Sequence, residues 1–546
     1  MSDPLYETWE AHERPLVSPQ PYKAGSMTRE TIRRVFDARS IGADRLGVVA
    51  MLAVVLGGLL AVRLVALAFN GTDLFFDEAQ YWTWSREPAF GYYSKPPLVA
   101  ALIGAAGAVC GDGTFCVRVA SPLLHTIAAV LIFLIARRLY DSRAGFWAAI
   151  TYATLPGVSL SAGIISTDVP LLAAWALALL GIVGLLQERT GWMPALALGL
   201  GVGLGLNAKY AMAFFPASLA VYLIATPSAR WLLRDPRLWA GLALGVALIV
   251  PNLAWNAAHG FATFAHTADN AKWGGSLLKP GKGLEFMAAQ FAVFGPVLLV
   301  ALGLIVQRAW REGLGAADRL LLCFTLPVLA VITAQAFVSR AHANWAATAY
   351  VAASILVPAA LLRLDLMRWL KASLGLHLAV MALLGAGAVA AGRFVLPGAG
   401  DPYSRTLGWA EIGQRTARVL AEAKAAGRPY RAVIADERAV TAALLYYMRD
   451  EATPVLAWLS GPRPLDHYEM TRPFRDAGQT PVLLVSVRQD AERITGRFAR
   501  AETVRTEAVP AGLGPPRPVS FITLDGFKPG PPPPVPNPPT NRGDKP

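Results

Sequence analysis

The sequence has 546 residues, of which 54% are hydrophobic and only 16% are charged. Ordinary soluble domains carry about 25% charged residues, so this composition excludes an ordinary soluble protein and predicts a chain that lies mostly in lipid. The formal net charge of +13 could suggest a nucleic-acid partner, but the arginines are spread over short segments between apolar runs, so we expect none.

Eleven apolar segments predict an all-α polytopic membrane domain over residues 46–395. Each segment is expected to be a helix, because the bilayer core offers no partner to an unpaired backbone N–H or C=O group. Residues 1–45 are polar and lack the pattern of a cleavable signal peptide, so we interpret them as a cytoplasmic tail. The stretch 97–110 is apolar but short, which favours an interfacial or re-entrant helix. The predicted spans are 46–69, 118–136, 144–162, 168–186, 192–207, 211–226, 238–257, 286–306, 319–338, 345–362 and 372–392.

The arginines between the spans predict the orientation of the chain. With the N-terminus in the cytoplasm, the loop after every even-numbered span contains arginine, as the positive-inside rule requires. Eleven spans then place the C-terminus on the outer side. The outer loops collect carboxylates, histidines and cations, whereas the spans are nearly free of charge. We therefore expect a functional site at the outer surface of the membrane.

The first loop, residues 70–117, is the most informative segment. Asp77 and Glu78 follow the first apolar helix, and the pattern that they begin indicates a helix lying along the interface. A carboxylate at a partly dry interface can act as a general base, although an acidic pair can also cap a helix and compensate its dipole. Lys95 can hold a lipid phosphate as a point charge. Cys110 and Cys116 could form a disulfide in an oxidising compartment, which their spacing alone leaves open.

Further polar residues lie where other outer loops meet the membrane. Asp168 begins the fourth span, where it could be functional, an N-cap, or both. Lys209 interrupts a tight apolar hairpin, so it is either an interface anchor or part of an anion-attracting surface. His259, His266 and His342 could bind a divalent metal, but their spacing is not diagnostic of a metal site. We therefore assign no metal ligands and keep a divalent cofactor as an alternative.

Beyond residue 396 the composition changes, and we predict a small outer α/β domain over residues 396–526, called the C-terminal domain below. It could bind an acceptor molecule, but its sequence indicates no site. The tail 527–546 is rich in proline and should be disordered. Within the domain, the predicted strands are 432–434, 454–458 and 481–487, and the predicted helices are 409–424 and 437–449.

The residues of the first loop resemble a known family. Three motifs carry the resemblance: Asp77-Glu78 with Tyr81, Ser85-Arg86-Glu87, and the Tyr-Ser-Lys-Pro-Pro run at 93–97. They are similar to the first periplasmic loop of the aminoarabinose lipid A transferase and protein O-mannosyltransferase superfamily. These proteins are GT-C-type glycosyltransferases that use polyprenyl-phosphate sugars. The chain most resembles the RgtA/B/C/D-like branch, which includes galacturonosyltransferases of rhizobial lipopolysaccharide. The resemblance covers about residues 46–392 and implies a GT-C-like fold.

The resemblance also implies roles for individual residues. Asp77 matches the first-loop aspartate regarded as catalytic, Lys95 matches the lysine that contacts the donor phosphate, and Asp168 matches a second-loop aspartate near the active site. One departure concerns Ser94, which stands where the aminoarabinose transferases have a glutamate that can take part in metal binding. This departure argues against a metal site of that kind. The complete prediction is catalytic Asp77, Asp168 and Glu78, phosphate-binding Lys95, Lys209 and Arg340, and substrate-binding Tyr81, Arg86, Tyr93 and His342.

The predicted reaction is a single inverting displacement that moves a sugar from a polyprenyl phosphate to a periplasmic acceptor. The acceptor would be lipid A, the lipopolysaccharide core or another envelope glycan, and the enzyme would lie in a bacterial inner membrane. Asp77 would remove the proton of the acceptor hydroxyl, and the cations would stabilise the leaving phosphate. The alternatives are a protein O-glycosyltransferase and a flippase or transporter of lipid-linked sugars. A transporter usually needs ionisable groups or broken helices near the bilayer midplane, and the glycine-rich run 198–206 is a candidate break.

Overall fold

A computed structural model of the protein describes residues 44–188, 190–271, 278–395, 400–475, 480–488 and 490–528. The predicted N-terminal tail and proline-rich C-terminal tail lie almost entirely outside these residues. The described helices that precede the C-terminal domain are, in chain order, α1 (Asp44–Ala68), α2 (Phe76–Arg86), α3 (Leu98–Cys110), α4 (Thr114–Arg118), α5 (Ala120–Leu139), α6 (Ser142–Thr154), α7 (Pro156–Ser161), α8 (Asp168–Gln187), α9 (Met193–Ala208), α10 (Phe214–Ala225), α11 (Pro236–Ala258), α12 (Ala262–Ala271), α13 (Pro280–Phe294), α14 (Pro296–Glu312), α15 (Ala316–Val338), α16 (Ala349–Arg363) and α17 (Met367–Val389).

Six stretches of the described residues are helical, long and apolar enough to cross a bilayer: α1, α4 with α5, α8, α11, α15 and α17. Helices α13 and α14 pass the same test as a pair but are bent by 110°, at Gly295, whose φ of 90° is accessible mainly to glycine. Helices α3, α9 and α16 are apolar but shorter, as is α10 with the turn before it. The protein is therefore a multi-pass membrane protein with six or seven fully apolar spans, and the count of eleven stays a prediction.

The centre of the membrane domain is formed by α8 and α16, which are buried on nearly all sides. Both helices are apolar all round, as expected of helices that are surrounded by others. Trp175 of α8 packs edge-on against Phe215, with ring centroids 5.1 Å apart. The glycine-rich run 198–206, interpreted above as a possible break, lies inside the continuous helix α9. A Cβ at Gly201 would lie 2.4 Å from the backbone nitrogen of Ala178, so these glycines permit close helix packing and do not interrupt the helix.

The C-terminal domain contains a five-stranded mixed sheet in the order β2-β1-β3-β5-β4. Strand β1 is parallel to β2 and β3, whereas β5 is antiparallel to β3 and β4. The first three strands and the first two helices of the domain coincide with predicted elements; β4 and β5 were not predicted, and β4 is largely exposed. The elements are α18 (Trp409–Ala425), β1 (Ala432–Ala435), α19 (Arg438–Tyr447), β2 (Val455–Ala457), α20 (His467–Thr471), β3 (Val482–Ser486), α21 (Glu492–Thr495), β4 (Phe498–Val509) and β5 (Arg517–Phe527).

The C-terminal domain packs directly on the first loop. Buried residues of α2 and α3 form one hydrophobic cluster with Ala442, Tyr446 and Tyr468 of the domain. The carboxylate of Asp73 accepts the backbone N–H of Trp409 at 2.8 Å and so caps the first turn of α18. The first loop and the C-terminal domain are therefore one structural unit, and six of the ten predicted site residues lie in its first loop.

Candidate active site

A cavity of about 450 Å³, called the main cavity below, lies between the first loop, α12, the segment after α15 and the C-terminal domain. Five of the ten predicted site residues line it, although they come from segments that are far apart in the sequence. The main cavity is lined by Asp77, Gln80, Tyr81, Tyr93, Ser94, Lys95, His266, His342, Trp345, Arg438, Leu465, Asp466 and His467.

Asp77 lies in the first turn of α2 and is paired with an arginine of the C-terminal domain. Arg438 Nη1 donates to Asp77 Oδ1 at 2.7 Å and also to the side-chain oxygen of the buried Gln80. The guanidinium lies over the ring of Phe76, 4.9 Å from its centroid. The Asp77 side chain remains 39% exposed, so its second carboxylate oxygen can be reached from the main cavity. A carboxylate oxygen that faces a cavity can accept a proton from a bound hydroxyl, as a general base must.

Lys95 supplies an ammonium group to the same cavity. Its backbone carbonyl accepts the N–H of Tyr92 at 3.1 Å, which closes the turn before the proline pair. Among the described residues the Nζ atom has no hydrogen-bond or ion-pair partner. Burial lowers the pKa of Lys95 below its usual 10.5, and the positive charge of Lys209 lowers it further. A partly buried cation without an acceptor is unfavourable, so this position favours a bound anion.

Asp168 and Lys209 form an ion pair close to Lys95 but do not line the main cavity. Lys209 Nζ donates to Asp168 Oδ1 at 2.7 Å, and Asn344 Nδ2 donates to Asp168 Oδ2 at 2.6 Å. Both oxygens of Asp168 are therefore occupied. This carboxylate connects the start of α8 with the end of α9 and with the turn before α16, which is a positioning arrangement.

The charges of several cations act on His342. Burial lowers the pKa of its imidazole, and the charges of Arg340, Lys209, Arg405 and Lys95 lower it further, in that order. The Nε atom of Arg340 is buried and has no hydrogen-bond partner within the described part of the chain. The charges of the three predicted phosphate-binding cations, and that of Arg405 in the C-terminal domain, thus all act on one imidazole of the main cavity. This arrangement can stabilise a phosphate group.

Glu78 does not reach the main cavity. Its side chain is 2% exposed, and Arg118 donates to both carboxylate oxygens at 2.9 and 2.7 Å. The backbone N–H groups of Phe75 and Ile165 donate to the same carboxylate at 2.9 and 3.0 Å. Successive helix residues point about 100° apart, so Glu78 faces the protein interior while Asp77 faces the cavity. These contacts give Glu78 a structural role, and neither of its carboxylate oxygens is free for the predicted catalytic role.

Arg86 also lies away from the predicted site. It pairs with Asp112 and stacks over Trp82, 5.1 Å from the ring centroid. It lines a second cavity of about 230 Å³ at the far end of α2. The remaining substrate-binding candidates do line the main cavity: Tyr81 is buried, and the Tyr93 hydroxyl donates to the carbonyl of Pro464 at 3.1 Å.

Four residues of the C-terminal domain line the main cavity although no site was predicted there: Arg438, Leu465, Asp466 and His467. Asp466 caps α20 by accepting the N–H of Tyr468 at 2.7 Å, and burial raises its pKa. Burial lowers the pKa of His467 to about 4, so this imidazole is neutral at pH 7. An isolated arginine at the start of a helix carries no sequence signal of a contact with Asp77, which lies 361 positions away.

Within the described ranges, no three histidine, cysteine or acidic residues come together as a metal-binding group. His266 and His342 both line the main cavity. His259 instead stacks on Trp255, with ring centroids 4.1 Å apart. Burial and the nearby charges of Lys95 and Arg438 lower the pKa of His266 to about 4. Cys110 and Cys116 are joined by a disulfide in the first loop.

Comparisons with known proteins extend these observations. Residues 94–255 match the family described as dolichyl-phosphate-mannose-protein mannosyltransferase. The lipid A galacturonosyltransferase RgtD of Rhizobium johnstonii is 38% identical over 408 residues, which are 74% of this chain and 84% of the relative. The undecaprenyl phosphate-alpha-4-amino-4-deoxy-L-arabinose arabinosyl transferase 1 of Pseudomonas fluorescens is 34% identical over 184 residues, 32% of each chain.

The fold is similar to that of ArnT from Cupriavidus metallidurans. The structure of ArnT in the apo state has a TM-score of 0.57 at 16% identity and covers 88% of this chain and 98% of its own. The structure bound to undecaprenyl phosphate has a TM-score of 0.55 at the same identity and coverage. The similarity to RgtD, which extends over most of both chains, shows that the chain belongs to the GT-C-type glycosyltransferases that include ArnT and the protein O-mannosyltransferases, in their RgtA/B/C/D-like branch.

Proposed function

We propose that this glycosyltransferase moves a sugar from a polyprenyl phosphate to a hydroxyl of lipid A or of the lipopolysaccharide core, with inversion at the anomeric carbon. The observation that carries the proposal is the main cavity, where the accessible carboxylate of Asp77 lies together with the ammonium of Lys95, which is paired with no described residue. RgtD is named a lipid A galacturonosyltransferase, so polyprenyl-phosphate galacturonic acid is the first donor to test. The ArnT structure with undecaprenyl phosphate supports the donor class.

The reaction uses a base at one side of the sugar and cations at the other. The acceptor oxygen attacks the anomeric carbon while Asp77 takes the hydroxyl proton. The bond between the anomeric carbon and the phosphate oxygen breaks, and the polyprenyl phosphate leaves with the bonding electron pair. Lys95 contacts this phosphate directly, and Arg340 adds positive charge from the surroundings of His342. A single displacement at one carbon inverts its configuration.

The other predicted residues receive roles that match their contacts. Tyr81, Tyr93 and His342 line the main cavity and contact the substrates. Asp168 holds Lys209 and acts as a positioning residue.

The packing of the C-terminal domain supports the predicted orientation of the chain. The first loop follows one span, and the domain packs on that loop, so both lie on the same side of the membrane. The number of crossings before the domain must then be odd. The six fully apolar spans and the bent pair α13–α14 make seven; α6 with α7, α9, α10 and α16 bring the total to eleven. An odd number places the N-terminus and the C-terminal domain on opposite sides, and the arginines between the spans assign the N-terminus to the cytoplasm and the domain to the periplasm.

The test is a transfer assay with total polyprenyl-phosphate sugars and a native membrane lipid extract, followed by mass spectrometry of the lipids. Wild-type protein should add one sugar to lipid A or the core, and Asp77→Asn should lower turnover by about 10²–10⁴-fold, the usual contribution of a general base. Glu502→Gln is the matched control, because Glu502 is exposed on β4. Near wild-type transfer by Asp77→Asn would contradict the role of the base. Donor binding without any transfer would instead favour a flippase, and a glycosylated protein would identify a protein acceptor.

A further inference from the structure

Arg438 of the C-terminal domain uses only part of its guanidinium. The Nη1 atom donates to Asp77 and Gln80, whereas Nε and Nη2 have no acceptor in the described segments of the chain. The side chain is 35% exposed and lines the main cavity. Its plane is held by the contact with Phe76. The arginine is therefore fixed in position while two of its nitrogens remain available to a ligand.

The main cavity contains two cations from different parts of the chain, Lys95 of the first loop and Arg438 of the C-terminal domain. Arg438 is anchored on Asp77 through Nη1, whereas Lys95 Nζ is paired with no described residue. A donor phosphate held by the ammonium of Lys95 therefore leaves Nε and Nη2 of Arg438 available to another oxyanion. Arginine presents parallel N–H groups that match the two oxygens of a carboxylate or phosphate.

We infer that Arg438 is a specificity-determining residue, which binds a second oxyanion of the substrates while its Nη1 atom positions Asp77. This inference rests on the proposed function. The oxyanion is a carboxylate or phosphate group, carried either by the transferred sugar or by the acceptor beside its reacting hydroxyl. Arg438 lies next to the catalytic base, so either substrate can bring such a group within its reach. The C-terminal domain then supplies part of the active site.

The test compares kcat/KM for two donors and two acceptors. The donors are polyprenyl-phosphate galacturonic acid and polyprenyl-phosphate galactose, which differ in the carboxylate. The acceptors are lipid A and lipid A from which the phosphates have been removed. Arg438→Gln should lose roughly 10- to 150-fold more activity with the substrate that carries the oxyanion than with its neutral counterpart, the range expected for a hydrogen bond to a charged group. Any loss from misplacing Asp77 is common to all four pairs and cancels in this ratio.

The outcome also assigns the oxyanion. A selective loss with the charged donor places it on the sugar, and a selective loss with phosphorylated lipid A places it on the acceptor. An equal loss with all four pairs, or no loss, would overturn the inference and leave Arg438 at most as a positioning residue for Asp77. Arg438→Lys keeps the charge and should show a smaller selective loss, so it serves if Arg438→Gln does not fold. Arg418→Gln is the matched control, because Arg418 is 64% exposed on α18. Absence of transfer by wild type and by this control would instead reject the proposed function.

Discussion

Because the ammonium of Lys95 is paired with no described residue, we predict that replacing this lysine weakens donor binding without destabilising the protein. Lys95→Met removes the cation and keeps most of the apolar stem. Donor phosphate loses a charge-assisted contact worth about 1.5–3 kcal/mol, so its Kd should rise roughly 10- to 150-fold. The unbound protein loses no ion pair or hydrogen bond of Nζ to any described residue. Its thermal unfolding midpoint should therefore stay unchanged or rise.

The lowered pKa of Lys95 also predicts how donor binding depends on pH. The pKa of Lys95 in the free protein lies below 10.5 because of burial and the charge of Lys209. A bound phosphate favours the charged ammonium and so raises this pKa. Affinity is then highest below the lowered pKa of the free protein, and it falls as the pH rises through that value. Lys95→Met should lack this decrease.

The assay is a titration of purified protein with undecaprenyl phosphate between roughly pH 7 and pH 10, where a lysine with a lowered pKa titrates. Lys282→Met is the matched control, because Lys282 forms an exposed pair with Glu285 and such pairs contribute little. Wild-type affinity in Lys95→Met, or a destabilised unbound protein with unchanged affinity, would refute the assignment of Lys95 to the donor phosphate.

Two further predictions concern the ion pairs beside the site. Arg118→Leu leaves the carboxylate of Glu78 buried without its cation, which should lower the free energy of unfolding by about 3–5 kcal/mol. In thermal denaturation, the double variant Arg118→Leu with Glu78→Leu should be more stable than the sum of the two single changes predicts. Strict additivity of the single changes would contradict this coupling. Asp168→Asn releases Lys209 toward the donor phosphate, so the KM for the donor should fall by up to about fivefold, equivalent to roughly 1 kcal/mol, while kcat also falls. Steady-state kinetics over a range of donor concentrations measures both constants, and a raised KM would contradict the positioning role of Asp168.

The membrane helices could be predicted because their signal is local. Apolar runs must become helices in lipid, and the segments predicted as spans are largely helical in the structure, with breaks at Leu155 in the segment 144–162 and at Gly295 in the segment 286–306. The position of Asp77, Lys95 and His342 on one side of the membrane could also be predicted, since the positive-inside rule sorts polar residues by side. The number of spans could not be predicted, because a broken or short helix has the same hydropathy as a straight crossing.

The orientation of individual side chains could not be predicted from the sequence. Asp77 and Glu78 are chemically similar neighbours, and their different roles depend on where Arg118 lies in the folded chain. Arg86 belongs to the same motif but lies at the opposite end of α2, beside Asp112. Only the packing of the first loop against α4 and the C-terminal domain determines which of these side chains faces the cavity.

The position of Arg438 bears on why the C-terminal domain is attached to this membrane enzyme. A module that only captured acceptors could be joined by a flexible segment and would need no contact with the base. Here the Tyr447 hydroxyl accepts the N–H of Leu74 at 2.8 Å, and the Tyr446 hydroxyl donates to the carbonyl of Asp112 at 2.7 Å. Together with the shared hydrophobic cluster, these contacts hold α19 against α2 and fix Arg438 beside Asp77. Pre-organised charge stabilises a transition state better than charge that must first be positioned, so under the proposed function this docking belongs to the catalytic apparatus.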